Sequence, residues 1–119
     1  IPESARALQE FVDELSNWYV RRSRERFWVK GMPQDKVNAY MTLYTALVTV
    51  AKTAAPMLPF MSESIYQNLV CNIDPSAPES VHLCSFPAVR EEMIDTALEA
   101  DMEEVLAIVA LGREEWLQY

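Results

Sequence analysis

Arg21, Arg22, Arg24, Arg26 and Lys30 fall within ten positions of one another, and Trp28 lies among them. A guanidinium fork matches phosphate oxygens two at a time, and an indole ring offers a face on which a base stacks. All six are therefore candidate binding residues for a polyanion. Little else in the sequence bears chemistry. Cys71 and Cys84 do not form a Cys-x-x-Cys pair, and His82 is the single histidine. Zinc needs four nitrogen or sulfur ligands, or three and a water, and nothing else clusters with these. The two cysteines read as reduced thiols, not as a metal site or a Cys–His nucleophile pair. Gly31 and Gly112 are the only glycines, which excludes every glycine-rich phosphate loop.

The charge is unevenly placed. The 119 residues carry 10 basic and 18 acidic side chains, net −8. Residues 1–60 hold eight basic and six acidic residues, net +2; residues 61–119 hold two and twelve, net −10. An acidic chain does not attract nucleic acid as a whole. A local basic cluster still does, because screening limits each charge to about 8–10 Å.

These residues need elements to position them. The length suits one domain, and half the residues are hydrophobic, enough for a packed core. Scarce glycine and long periodic stretches predict an all-α fold, a bundle of about four helices. Pro2 and Glu3 open the first, which the spacing of Leu8, Phe11, Val12, Leu15, Trp18 and Tyr19 carries to about Trp28. Gly31-Met32-Pro33 turns the chain, and Asp35 is the expected N-cap of a second helix over 36–54. That helix is apolar around half its circumference, with a polar strip of Asn38, Thr42, Thr45, Thr49 and Lys52, and should be central. Pro59 starts a third helix to about Val70. Residues 72–80 form a loop, and Val81-His82-Leu83-Cys84 reads as extended. A fourth helix spans about Glu91 to Leu111, with Gly112 as its stop.

A uniform rotation of 100° per residue splits the arginines into pairs. With Trp18 at zero, the apolar stripe of the first helix lies between about 20° and 120°. Arg22 at about 40° and Arg26 at about 80° fall inside it; Arg21 at about 300° and Arg24 at about 240° fall outside. A charge on a core-facing stripe needs a partner, and Glu63 is the expected carboxylate. The alternative for Arg22 and Arg26 is an edge position with a packed stem. For Arg21 and Arg24 it is a solvated face.

The run Phe11-Val12-Asp13-Glu14-Leu15-Ser16-Asn17-Trp18-Tyr19-Val20-Arg21-Arg22-Ser23-Arg24-Glu25-Arg26-Phe27-Trp28 resembles the anticodon-binding domain of isoleucyl-tRNA synthetases. Tyr44–Lys52, Ala55-Pro56-Met57-Leu58-Pro59-Phe60 and Ser64–Leu69 match the next two helices. Ser80-Val81-His82-Leu83 followed by Phe86-Pro87 resembles the next segment, with Phe86 where the family often has Trp. The resemblance covers residues 1–113 and implies a helical domain that docks the anticodon stem-loop of tRNA(Ile). It also implies a helix ahead of residue 1. Residues 114–119 depart from the family pattern and read as a divergent or foreign tail.

The parent enzyme so implied joins isoleucine to tRNA with ATP and magnesium. Neither a HIGH nor a KMSKS string is present, nor the editing domain, so no cofactor and no catalysis are expected of this segment. The expected partners are tRNA(Ile), the catalytic domain of the same chain, and a second copy held through apolar surface that the upstream helix would cover. No membrane partner is expected. No basic-then-apolar leader opens the chain, so a cytoplasmic setting is expected. The alternative function is a helical protein-interaction module with an acidic face and no tRNA binding.

Overall fold

The computed structural model describes residues 1–118, and the chain divides into two compact units, Ile1–Pro87 and Ala88–Tyr119. Among the described residues every regular element is helical.

In the first unit, α1 spans Pro2–Glu14, with Pro2 at its start and Glu3 in its first turn. Leu15–Val20 continue it as a π-helical segment, and α2, Arg24–Trp28, follows a turn at Ser23. The single helix expected to about Trp28 is thus interrupted. A π turn closes its hydrogen bond one residue later than an α turn, so every side chain beyond it is rotated from its uniform-helix position. Ser23 and Phe27 become the buried line, at about 140° and 180° on the uniform wheel, outside the expected stripe.

The chain leaves α2 through Val29, and Gly31 has φ +77°, a left-handed conformation that suits glycine. Lys36 Nζ donates to the carbonyls of Val29 at 2.7 Å and Gly31 at 3.1 Å, which ties down the turn. α3 spans Gln34–Ala54 with Pro33, not Asp35, at the cap position. Asp35 is instead inside the first turn, where its carboxylate is taken by Arg26.

An aromatic knot fastens α2 to α3. Phe27, 8% exposed, packs tilted on Tyr40 with ring centroids 4.8 Å apart, and meets Tyr19 edge-on at 6.5 Å. Tyr19 OH donates to the Ala39 carbonyl at 3.1 Å and Tyr40 OH to the Phe27 carbonyl at 3.4 Å. Ala39 is wholly buried, so the knot needs a small residue there.

Further along, Ala51, Ala54 and Ala55 are small enough for α4, Pro59–Tyr66, to approach closely. The Tyr66 ring fills this contact, 1% exposed, and its OH donates to the Pro78 carbonyl at 2.9 Å. α3 supplies three of the buried residues, more than any other helix. Its expected polar strip faces outward: Thr42, Thr45 and Thr49 each return a hydroxyl to the carbonyl four residues back. α4 runs on as a π-helical segment over Gln67–Cys71. Val81–Leu83 is a short 3-10 turn, not an extended segment, because Glu63 holds its start: the carboxylate accepts from Ser80 Oγ at 2.8 Å and Val81 N at 2.9 Å.

An apolar groove of about 520 Å³ runs between α1, α3 and α4, lined by Leu8, Val12, Leu47, Val50, Met61 and Ile65 among others. Phe60 beside it in sequence is 90% exposed.

In the second unit, a 3-10 turn at Glu91–Met93 precedes α5, Thr96–Leu117. Asp95 caps α5, accepting from Leu98 N at 3.0 Å, so the helix starts later than the expected Glu91. Gly112 does not stop it. Its φ is not positive, and Arg113, Glu114 and Glu115 beyond it are good helix formers.

Candidate nucleic-acid interface

The arginines meet different environments: Arg26 a carboxylate, Arg22 and Arg24 each an indole ring, and Arg21 an open recess. Arg26 is clasped by Asp35: Nε donates to Oδ2 at 2.9 Å and Nη2 to Oδ1 at 2.9 Å, with a longer bond to the Asp35 carbonyl. This fork-to-fork pair holds the Asp35 carboxyl below its ordinary range and raises the Arg26 guanidinium above its own. Arg26 is therefore partnered, as a charge near the core should be, but its side chain is still 39% exposed. The partner is Asp35, not the expected Glu63. Glu63 is held instead by Gln67 Nε2 at 2.7 Å, Ser80 and Val81, and its carboxyl is lowered by these donors, Gln67 foremost.

Arg22 is exposed, not core-facing, because the π-helical segment rotates it off the buried line. Its guanidinium lies 4.9 Å from the ring centre of half-buried Trp18. The Arg24 guanidinium lies likewise over Trp28, 4.8 Å from its ring centre. Each pair is four residues apart, one helical turn, which is why the groups meet. Trp28 remains 72% exposed, and Lys30 is exposed on the turn that follows.

Arg21, Arg24 and Trp28 come together around one open recess of about 600 Å³. Ser16, Asn17, Val20 and Phe27 complete its lining. Arg22 and Arg26 are not part of that lining. Ser16 and Asn17 were missed by a search for charge, although Asn17 stands four residues before Arg21 and so shares its face. Lys36 and Asp35 were also missed as supports of this surface; the signal was their short distance in sequence from the glycine turn. The recess joins two cations, an amide, a hydroxyl and the aromatic residues Phe27 and Trp28, and its described lining contains no carboxylate. Guanidinium, amide and hydroxyl donors and an indole face are groups that can contact phosphates and bases.

Residues 2–115 match the family described as the anticodon-binding domain of tRNA ligase. The chain belongs to that family. It is 54% identical over 113 residues to an isoleucine–tRNA ligase of Clostridium acetobutylicum, and 56% identical over 113 residues to one of Clostridium novyi. Both matches span 95% of this chain and 11% of the relative. The Thermus thermophilus isoleucine–tRNA ligase is 51% identical over 111 residues, 92% of this chain and 11% of its own length. The chain thus spans about 11% of each relative, a segment distinct from most of the ligase.

Proposed function

We propose that this chain is the anticodon stem-loop binding segment of an isoleucine–tRNA ligase, with tRNA(Ile) as its nucleic-acid partner and the catalytic part of the same ligase as its protein partner. The observation that carries this reading is the gathering of Arg21, Arg24 and Trp28 on one recess, on a chain of the anticodon-binding family. Arg21, Arg24 and Lys30 supply phosphate contacts. Arg22 adds a charge from its place over Trp18, and Arg26 chiefly braces the surface. Ligation itself belongs elsewhere in the enzyme, in the cytoplasm, where translation uses charged tRNA.

In this reading ATP and magnesium, which the whole ligase would use, belong to its catalytic part. The chain has two glycines, neither in a phosphate loop, and no three His, Cys, Asp or Glu residues cluster for a metal among the described residues. No step of the ligation is therefore placed on these side chains.

The test is salt-titrated binding of an isoleucine tRNA stem-loop. Arg21→Ala and Arg24→Ala should each weaken binding and flatten its dependence on log salt by about one unit of slope. Unchanged affinity and slope in both variants would leave these arginines as a solvated face and overturn the proposal. A non-cognate stem-loop bound equally well would overturn the assignment to isoleucine tRNA.

A further inference from the structure

Cys71 ends the π-helical segment that follows α4, and Cys84 follows the 3-10 turn Val81–Leu83. Twelve residues separate them in the chain, yet both are half-buried free thiols packed against the same small core of Ala55, Tyr66 and Val81. They also meet one stretch of backbone. Cys71 Sγ donates to the carbonyls of Pro78 at 3.6 Å and Glu79 at 3.8 Å, and Cys84 Sγ donates to the carbonyl of Ser80 at 3.7 Å. Three consecutive carbonyls thus gather the two thiols. The Tyr66 hydroxyl lies with them. It donates to the same Pro78 carbonyl at 2.9 Å, and it is pushed above its ordinary range by burial first, then by Cys84 and Cys71.

The two thiols differ in access. Cys84 lines an open recess of about 160 Å³ with Lys52, His82 and Ser85 among others, and Cys71 is not in that lining. Lys52 there attracts an anionic oxidant. Burial first, then Glu63, Cys84 and Glu79, raise the Cys71 thiol above its ordinary range, which makes it the slower nucleophile. Neither sulfur is fixed, because a thiol is a weak donor and its contacts with carbonyls are readily given up. A disulfide needs the sulfurs about 2 Å apart, so the side chains must turn toward each other.

We propose that Cys71 and Cys84 are a redox pair, reduced at rest, which a small disulfide oxidises to an intrachain bond that staples residues 72–80 onto the Tyr66 core. Cys84, the accessible sulfur, gives its proton to water and attacks one sulfur of the oxidant. The oxidant's S–S bond breaks, and one half leaves as a thiolate that takes up a proton. Cys71 then gives up its proton and attacks Cys84 Sγ, and the second half leaves in the same way. Two protein thiols are oxidised, and one small disulfide is reduced to two thiols. An accessible sulfur beside a resolving one is the usual arrangement of redox-sensing cysteines. The proposal is independent of RNA binding.

The experiment incubates the reduced full chain with oxidised glutathione and follows free thiols, intact mass and melting temperature. Both thiols should disappear together, with a mass lower by two hydrogens, no glutathione retained and the two cysteines joined in one linked peptide after digestion. The melting temperature should rise by roughly 5 °C or more, because the bond closes a loop in the unfolded chain, and dithiothreitol should reverse the rise. Cys71→Ser should trap one glutathione on Cys84, having no second thiol to expel it. Cys84→Ser should take up glutathione several-fold more slowly than Cys71→Ser, because its remaining thiol is the less accessible one. A parent chain that retains glutathione on both cysteines, that links to a second copy, or that keeps both thiols free while its urea-unfolded form reacts would overturn the pair. A linked parent that melts no higher than the reduced chain would overturn the staple.

Discussion

A charged side chain on this surface is defined by what its neighbours leave of it. Arg26 has both nitrogens of its fork committed to Asp35, whereas Arg21 has no such pairing among the described residues. We therefore expect Arg26→Ala to lower the melting temperature while leaving the salt slope of RNA binding unchanged. Arg22→Ala, at an exposed position, should alter stability by about 0.5 kcal/mol or less. Thermal melts and salt titrations of the two variants check this; an Arg22→Ala melt far below the parent would contradict the exposed placement. Glu63 works by accepting, not by ion pairing. Its carboxyl is lowered from 4.5, so the folded state favours the ionised form and the unfolded state binds more protons on acidification. The stability it contributes is fully present above about pH 4.5 and is lost as pH falls through the lower folded-state value. Glu63→Gln should thus be less stable than the parent at neutral pH, with the gap closing below about pH 4.5. Urea unfolding at a series of pH values measures that convergence.

At the scale of elements, the π-helical segment Leu15–Val20 decides which residues reach the recess and which reach the core. It turns Ser23 and Phe27 inward and Arg22 outward, and short π segments recur at functional sites. Phe27 then anchors α2 through Tyr19 and Tyr40. Phe27→Ala should cost about 3 kcal/mol or more, since a nearly buried aromatic leaves a cavity. Because α2 carries Arg24 and Trp28, the same change should weaken RNA binding although Phe27 itself contributes no charge. Denaturant melts together with RNA titration test this, and a Phe27→Ala protein as stable as the parent would show that the knot does not fasten α2.

For the molecule as a whole, the charge is shared unequally between the two units: Ile1–Pro87 carries eight basic and nine acidic residues, net −1, and Ala88–Tyr119 carries two and nine, net −7. The basic cluster lies in Ile1–Pro87, and α5 in the second unit carries seven consecutive apolar residues, Val105–Leu111, with acidic residues before and after them. Among the described residues no helix is long and apolar enough to cross a membrane. The groove between α1, α3 and α4 leaves apolar side chains open to water, which favours association. We expect the chain as given to self-associate through this groove, with sedimenting mass rising with concentration and Leu8→Gln reducing the rise. A single monomer mass at every concentration would refute it.

Much of this protein was legible in the linear order of residues. Helix positions follow from apolar spacing and from Pro2, Pro33 and Pro59, which act locally on the backbone. The basic cluster and the family resemblance are also properties of adjacent residues. What tertiary structure decided was the sorting of those charges. A uniform helical wheel places Arg22 and Arg26 together on the core stripe, with Glu63 the expected partner of one of them, because a π turn has no sequence signature in the apolar period. The choice of Asp35 over Glu63 depends on how α2 folds back beside α3 across the Gly31 turn, a matter of packing around Phe27 and Ala39. Likewise Glu63 is free to hold Ser80 and Val81 only because the chain returns there after seventeen residues. Local chemistry is written in neighbouring residues; partner choice between distant ones is written in the space that the folded chain leaves them.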